Sequence, residues 1–407
     1  MAKWKIPFKN SEYKSAILSL ITDSRQPNSR KSASFDLHFS TLIVPLLDQM
    51  IELDPAIPPQ EKTKFIESSL FTAGREDIIN LSKFLQILEG LEKEYMNKET
   101  KDYVLASRIS LPQNQTYPSF FVGRNLIKIN PKKEIVQNLD YLTSFQKFEI
   151  KKFDQYSQIY IRVKARSSSE AFEKGLLYLD YFRGIWNLFR NRKKVSRLST
   201  NQFKPINTIL LSPIITLHSS KNKSQLSFYY SSLLQDHPLA EKFECDLEAF
   251  HSYFNEVNSK AHSQPYSAFL IESIAKYSRS IDTINWEVSF LKLWSLFEKL
   301  TNTRGNYDTA ISRASFLYTD KSFVSCMLEC LRVYRNDHIH DTKTSEHIEP
   351  IMYIIKNVVE KFLTDLIYNK KFKSLTEIYS FLDSPREIQK VEEKMRMLSI
   401  VHDFLKK

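Results

Sequence analysis

Glycine is scarce in this chain, and its scarcity limits the folds that the chain can adopt. The six glycines among 407 residues are spread between residues 74 and 305. No two lie close enough for a GxGxxG or a GxxxxGKS/T loop, so a Rossmann dinucleotide site and a P-loop are excluded in their usual form. Few glycines also mean few tight turns, which favours long helices.

The composition is that of a globular protein with a basic balance. Hydrophobic residues make up 42% and charged residues 26% of the chain, and its length suits about two or three domains. The net charge of +11 favours a nucleic-acid partner, because Lys and Arg side chains bind phosphate whatever the base sequence. Many globular proteins are equally basic without binding nucleic acid.

The cysteines and the apolar runs bear on the compartment. Cys245, Cys326 and Cys330 are too few for a disulfide framework, and we expect Cys326 and Cys330, one helical turn apart, to be small core residues. No run approaches the ~18 apolar residues of a membrane span, and the N-terminus lacks the apolar core of a signal peptide. The sequence therefore predicts a cytoplasmic protein without membrane attachment.

Hydrophobic periodicity predicts a mainly α fold with a smaller α/β middle region. Residues 1–110 are predicted to be a helical N-terminal region, since Thr41–Leu53 and Arg75–Val104 show helical 3–4 spacing. Residues 111–265 are predicted to be a mixed α/β domain. Residues 266–407 are predicted to be a helical bundle with a C-terminal helical extension.

Two runs in the middle region predict strands. Apolar and polar residues alternate in Gln158–Ala165, which is typical of a strand with one wet face. A second β-like run, Ile206–His218, is broken by Pro213. Between them, Ser167 and Glu170 have the spacing of a capping box and predict a helix that continues to about Arg192.

That predicted helix carries an apolar face and a basic face. Leu179, Phe182, Trp186 and Phe189 follow 3-4-3 spacing on one side. The candidate RNA-binding residues of the helix and its end are Arg183, Arg190, Arg192, Lys193, Lys194 and Arg197. Two interpretations stay open: a helix that contacts RNA, and an amphipathic helix with an ordinary solvated face.

The stretch RVYRNDHIH, Arg332–His340, concentrates the polar residues of a predicted helix that starts near Lys321. Helical geometry predicts two nearly opposed faces. The core face comprises Met327, Leu331, Tyr334 and His338. The polar face comprises Leu328, Arg332, Asn336 and His340, with Arg335 close enough to reach around to it.

Three kinds of chemistry can be compared with the residues of this stretch. Two histidines in HxH converge on a strand but point about 200° apart on a helix, so no metal site is predicted, although a metal-dependent hydrolase built on His338 and His340 stays an alternative. A nucleophile elbow is absent. Arginine and histidine together can cleave RNA without a metal or a cofactor. Arginine holds the phosphate, and histidine transfers the 2′-hydroxyl proton, which leaves a 2′,3′-cyclic phosphate.

The stretch resembles the motif of the HEPN domain family. Arg335–His340 fits R-x4-6-H with a polar residue after the arginine, and WSLFEKL (Trp294–Leu300) is similar to the upstream helix of Apea-like HEPN proteins. The resemblance covers about Ser267–Asn369. It implies a HEPN-type α-helical bundle and a metal-independent endoribonuclease. Asp341-Thr342-Lys343 departs from the family, in which glycine often follows the histidine, and HEPN toxins carry a tyrosine at the position of Thr342.

The resemblance also implies roles for individual residues. Arg335 would neutralise the scissile phosphate, His340 would be the acid/base, and Asn336 would orient His340. The possible supporting residues are Arg332, Glu298, Asp337 and His338, with Glu298 expected to pair with Arg335 or Arg332. Arg335 and His340 are about 140° apart on a straight helix, and a two-fold axis would bring such pairs together.

The partners implied by the resemblance follow from the same family. They are RNA, with tRNA as one candidate, and a second copy in a homodimer with a composite cleft. Many HEPN ribonucleases act in bacterial anti-phage defence or abortive infection, so a phage-derived activator or another regulatory partner is expected to act through residues 1–265. A non-catalytic HEPN protein that binds nucleic acid is the alternative.

Overall fold

The structure is a computed structural model that describes residues 2–26, 34–35, 39–74, 80–131, 153–191, 205–207, 209–221, 224–230, 246–341 and 345–406; for residues 11, 25, 26, 34, 191, 340 and 341 only the backbone is described. In chain order the helices of the described residues are α1 (Ser11–Asp23), α2 (Val44–Met50), α3 (Pro59–Ala73), α4 (Leu81–Asn97), α5 (Ser168–Asn191), α6 (Leu247–Ser263), α7 (Ser267–Ser280), α8 (Trp286–Thr301), α9 (Tyr307–Phe316), α10 (Lys321–Asp341), α11 (Ile348–Ile367), α12 (Leu375–Leu382) and α13 (Ile388–Leu405).

The strands form one six-stranded sheet in the middle of the chain and two short ribbons near its start. They are β1 (Lys3–Trp4), β2 (Arg25–Gln26), β3 (Ser34–Phe35), β4 (Ile51–Glu52), β5 (Lys101–Ile109), β6 (Phe120–Val122), β7 (Asn125–Ile129), β8 (Ser157–Ala165), β9 (Ile214–Ser219) and β10 (Gln225–Tyr230). The sheet order is β10-β9-β5-β8-β7-β6, and β7 pairs antiparallel with both β6 and β8. The predicted mainly α fold with a sheet in its middle is confirmed.

The prediction for the Arg75–Val104 run is wrong at its C-terminal end. Helix α4 ends at Asn97, and Lys101 begins β5. Tyr103, Val104 and Leu105 are buried in that strand. β-branched and aromatic side chains fit a pleated surface better than a helix end, and this preference outweighs the apparent helical spacing.

The two predicted strands of the middle region are present with different lengths. β8 covers Gln158–Ala165, and Ile161 and Val163 are buried while Arg162 and Lys164 are exposed. In the second run, regular pairing begins only at Ile214, and the part before Pro213 contributes one bridge between Leu211 and Ile109. Proline lacks the N–H group that a ladder needs, which explains the break.

Helix α5 begins where the capping box predicted it. The backbone N–H of Glu170 donates to Ser167 Oγ at 3.1 Å. The Glu170 carboxylate accepts from the backbone N–H of Arg166 at 2.6 Å and from the Tyr95 hydroxyl at 3.0 Å. The buried carboxylate therefore satisfies donors ahead of the helix and ties α4 to α5.

The chain divides into two compact units that are not consecutive in sequence. Unit 1 comprises Met1–Leu105, Arg162–Gly175 and Leu217–Ser227, and unit 2 comprises Ala106–Ile161, Leu176–Thr216 and Phe228–Lys407. The division of the sequence at residues 110 and 265 groups the chain differently and stays a prediction.

Each unit has its own core. In unit 1, α1 to α4 bury aliphatic and aromatic side chains, among them Ile21, Leu47, Ile66 and Phe84. In unit 2 the aromatic side chains of β6, α5 and α6 pack together, and Trp186 stacks on Phe250 with ring centroids 3.9 Å apart. Aromatic contacts of this kind add to the stability that burial alone provides.

The C-terminal helices of unit 2 pack through the predicted apolar stripes. Phe290, Leu293, Phe297 and Leu300 of α8 are fully buried, as their 3-4-3 spacing predicted. On α11, Ile355, Val358, Phe362 and Leu366 are buried, whereas Ile351 and Ile354 lie half-exposed at the edge. Within the described ranges, none of the helices combines the length and the apolar character that a membrane span requires.

Gly184 allows α5 and α7 to approach closely, and this contact gives a stability prediction. A Cβ at Gly184 would lie 2.5 Å from the Ile274 carbonyl oxygen and 2.6 Å from its Cγ2. The backbone carbonyl of Ile274 can move only at a high energetic cost. We therefore expect Gly184→Ala to lower the free energy of unfolding by about 1–3 kcal/mol. Urea unfolding followed by circular dichroism measures this change.

Gly90 provides the matched control. It lies at an exposed position of α4, and a Cβ there would meet nothing within 4 Å. We expect Gly90→Ala to raise stability by roughly 0.5–1 kcal/mol, because alanine is the better helix former. Opposite signs for the two substitutions support the close approach of α5 and α7, and equal effects would contradict it.

Candidate active site

Helix α10 carries the residues of the predicted site, and its buried face matches the predicted core face only in part. The Asp320 carboxylate caps the helix by accepting from the Phe323 N–H at 2.9 Å. Val324, Leu328 and Leu331 are buried. The predicted face assignment is wrong at Leu328, which was placed on the polar face. Met327, which was placed on the core face, is only half-buried.

The error has a geometric cause. Helical spacing shows which residues share a face, but adjacent faces overlap because successive residues are only about 100° apart. The buried stripe follows residues 324, 328 and 331. Its continuation at 4-3 spacing reaches Arg335 and His338, both half-buried. The predicted position of His338 toward the core is therefore compatible with the structure, and Arg335 lies on the same side.

The two cysteines of α10 also depart from the prediction. Cys326 and Cys330 were expected in the core, but both are exposed thiols. Cys326 and Cys330 lie on either side of Leu328 in sequence, each about 200° from it around the helix. Burial of Leu328 therefore turns both cysteines to the outside.

Arg335 is held by one contact from α9 and one from its neighbour on α10. Its guanidinium lies over the ring of Tyr307 at 5.3 Å, and its Nη1 donates to Asn336 Oδ1 at 3.1 Å. Tyr307, at the start of α9, packs edge-on against Trp294 of α8 with ring centroids 6.0 Å apart. Among the described side chains, no carboxylate forms an ion pair with Arg335. The guanidinium is thus oriented by an aromatic ring and an amide without losing its charge.

Arg332 has a different environment, although it lies one turn earlier on the same helix. Its Nη1 is 2.8 Å from Asp308 Oδ1, and its Nη2 is 2.7 Å from Glu329 Oε2. Two carboxylates neutralise this guanidinium. The predicted partner Glu298 is not among the described partners of Arg332 or Arg335, so its pairing role is not supported by the described contacts.

Tyr334 and His338 form a second pair beside Arg335. Tyr334 packs edge-on against Phe290 at 5.1 Å, and its ring is nearly parallel to that of His338 at a centroid distance of 6.1 Å. Burial, assisted by the negative charge of Glu287, raises the pKa of Tyr334 to about 12. Its hydroxyl therefore stays protonated at neutral pH and can act as a hydrogen-bond donor.

The described part of the site thus contains Arg335, Asn336 and His338 together. His340 lies on α10, and its side chain is outside the described residues. Asp337 is half-exposed on the same turn. Tyr307 is a contributor that the sequence analysis missed, whereas Tyr334 was placed on the core face, where it packs on Phe290. A tyrosine at the start of α9 gives no sequence signal of this role, since it is far from the motif along the chain.

The proposed basic face of α5 is wrong at Arg183. This side chain is 2% exposed, and residues 181–188 are buried around the whole helix. Arg183 Nη1 lies 2.8 Å from Asp282 Oδ1 and 3.0 Å from the Ile209 carbonyl oxygen, and its Nη2 pairs with Asp180. Arg190 is half-buried and has a contact of its own. Arg192, Lys193, Lys194 and Arg197 lie outside the described residues.

Arg183 is therefore part of a buried polar network and not an RNA ligand. Asn207 Nδ2 donates to Asp282 Oδ1 at 2.6 Å, and Asn187 Nδ2 donates to Asn207 Oδ1 at 2.8 Å. Arg279, which lies on α7, pairs with Asp180 of α5. Buried charges persist only when they are paired with opposite charges and hydrogen-bonded, as the terminal nitrogens of Arg183 are here.

In the part of the chain that the structure describes, candidate metal ligands do not form a cluster. There, no three or more His, Cys, Asp or Glu side chains are grouped so that they could hold a metal ion.

Comparisons of the chain with protein-family models, curated proteins and solved structures find no match.

The buried network gives a second stability prediction. We expect Arg183→Met to lower the free energy of unfolding by about 3–5 kcal/mol, because it removes the guanidinium from Asp282 and leaves the buried Asp180 paired with Arg279 alone. Arg162→Met is the matched control, since Arg162 is exposed on β8. Its stability should change by less than about 0.5 kcal/mol. Chemical denaturation of both variants measures the difference, and equal effects would contradict a structural role for Arg183.

Proposed function

We propose that this chain is a metal-independent endoribonuclease of the HEPN type that acts at the C-terminal end of α10. One observation supports the proposal most. Arg335 is oriented by Tyr307 and Asn336, and among the described side chains no carboxylate takes up its charge. An arginine prepared in this way suits an external phosphate, whereas neighbouring Arg332 is already neutralised.

In the proposed reaction, the Arg335 guanidinium binds the non-bridging oxygens of the scissile phosphate. A histidine takes the proton of the 2′-hydroxyl while the 2′-oxygen attacks phosphorus. The bond from phosphorus to the 5′-oxygen breaks, and the leaving oxygen receives a proton. The products are a 2′,3′-cyclic phosphate and a 5′-hydroxyl, and no water nucleophile is needed.

The site geometry adjusts the roles within this proposal. Asn336 Oδ1 accepts from Arg335, so we assign Asn336 the orientation of the arginine in addition to the orientation of His340 that the resemblance implies. His340 stays the proposed acid/base because it completes the R-x4-H spacing. His338 is a second candidate, because at three residues from Arg335 it shares that side of the helix.

The biological setting in the proposal rests on the resemblance alone. It comprises RNA as substrate, tRNA among the candidates, a homodimer with a composite cleft, and a role in bacterial anti-phage defence or abortive infection. Residues 1–265 would then respond to a phage-derived activator or another regulatory partner. Non-catalytic binding of nucleic acid is the competing function, and the net charge of +11 favours it equally.

Cleavage of RNA by the purified full chain in EDTA tests the proposal. We expect Arg335→Ala to reduce cleavage by ~100–1,000-fold, since it removes the group that stabilises charge on the phosphate. Arg335→Lys should recover only part of the activity, because lysine keeps the charge but not the fork. The cleaved ends should carry 2′,3′-cyclic phosphate.

The controls separate chemistry from charge and folding. Arg124→Ala removes the same charge from an exposed turn and should leave cleavage unchanged. His340→Ala should abolish cleavage and His338→Ala should reduce it less; the reverse order would assign the proton transfer to His338. Unchanged cleavage in both Arg335→Ala and His340→Ala would refute the proposal, and salt-sensitive RNA binding without cleavage would favour the non-catalytic function.

A further inference from the structure

Helix α13 is the most exposed apolar surface that the structure describes. None of its side chains is buried. Its exposed large hydrophobic residues, 48–76% accessible, are Ile388, Met395, Met397, Leu398, Ile400, Val401, Phe404 and Leu405. Soluble monomers rarely expose so many large apolar side chains side by side, and such surfaces usually mark an interaction site.

The base of α13 is fixed to unit 2, while the helix itself lacks packing. Arg386 donates to the Tyr318 carbonyl oxygen at 2.6 Å and lies over the Phe316 ring at 5.5 Å. Just before it, Asp383 accepts two hydrogen bonds of 2.7 Å from Arg313. The next 18 residues form a helix without a buried face. A helix of this length is only marginally stable alone and normally gains its stability from packing.

Part of the apolar residues of α13 follows the spacing of a coiled-coil seam, whereas Met397, Ile400, Val401 and Phe404 lie outside it. Ile388, Val391, Met395 and Leu398 are 3, 4 and 3 residues apart, and the seam continues through His402 to Leu405. This 3-4 repeat places one apolar stripe along the helix, and stripes of this kind pack on each other side by side. The seam is therefore complementary to a second copy of itself.

The charges of α13 fit another protein helix better than an anionic surface. From Glu387 to Lys406 the segment carries four acidic and four basic residues, so it has no net attraction for phosphate or for anionic lipid. The half from Glu387 to Lys394 has three acidic and two basic residues. The half from Met395 to Lys406 has one acidic and two basic residues. The two halves are complementary when two copies run antiparallel.

We propose that α13 pairs with α13 of a second copy of this chain as an antiparallel two-stranded coiled coil. Met395 of each copy then lies against Leu398 of the other, near the two-fold axis, and Ile388 lies against Leu405. The seam side chains of both copies, each burying ~60–120 Å², would together remove on the order of 1,000 Å² of apolar surface from water. This area reaches the ~1,000 Å² that a specific protein interface needs.

Sedimentation velocity of the full chain over a wide concentration range tests the pairing. The wild-type chain should be a dimer. Leu398→Lys should weaken it at least ~100-fold, because each dimer places two lysines in the seam. Ile400→Lys is the matched control. Ile400 is as exposed as Leu398, 55% against 59%, but it lies about 160° from Leu398, outside the seam. This variant should stay dimeric.

Three results would overturn the pairing. They are a wild-type chain that stays monomeric, a dimer that persists in Leu398→Lys, and equal weakening by both substitutions, which would indicate unspecific apolar association. A monomeric chain that sediments together with phosphatidylserine-containing vesicles would instead assign α13 to a membrane surface. Both substituted positions are exposed, so circular dichroism should show an unchanged fold outside α13, and only Leu398→Lys should lose helical signal from α13 itself. The test is independent of RNA cleavage.

Discussion

Arg183 lies inside unit 2 with its guanidinium forked across the carboxylate of Asp282, and three parts of the chain meet at this contact. Asp180 comes from α5 itself, Ile209 from the segment before β9, and Asp282 from the turn after α7. A guanidinium away from water is tolerated only because these groups accept hydrogen bonds from both of its terminal nitrogens, while its Nε has no partner among the described residues. Gly184, the next residue, permits the close approach of α7 that brings Asp282 within reach.

The candidate site depends on this anchor through α8. Asp282 is followed by Asn285, whose side chain caps α8 by accepting from the Val288 N–H at 2.9 Å. The start of α8 is therefore set close to the buried ion pair. From there α8 presents Phe290 to Tyr334 and Trp294 to Tyr307. Trp294 of α8 positions the ring of Tyr307, and this ring contacts the guanidinium of Arg335. The orientation of Arg335 thus depends on packing that extends back to α5.

Local signals predicted the elements of the fold well, and long-range pairing limited the rest. The start of α5 and the buried stripe of α8 follow from a capping box and a 3-4-3 spacing, both of which depend only on nearby residues. The burial of Arg183 does not, because Asp282 is 99 residues away and gives no local signal. Cys326 was misplaced for a related reason. Spacing defines the faces of a helix, whereas the neighbouring helices decide which face is buried.

The two histidines of α10 place different demands on the same arginine. His338 is three residues from Arg335, so the two side chains occupy one side of the helix and a single copy can present both to a phosphate. His340 is about 140° from Arg335, so it meets the same phosphate only through a bend of the helix end or through a second copy. A site that uses His338 is therefore active as a monomer. A site that uses His340 of a second copy couples activity to assembly, and its rate depends on protein concentration below the dissociation constant of the dimer.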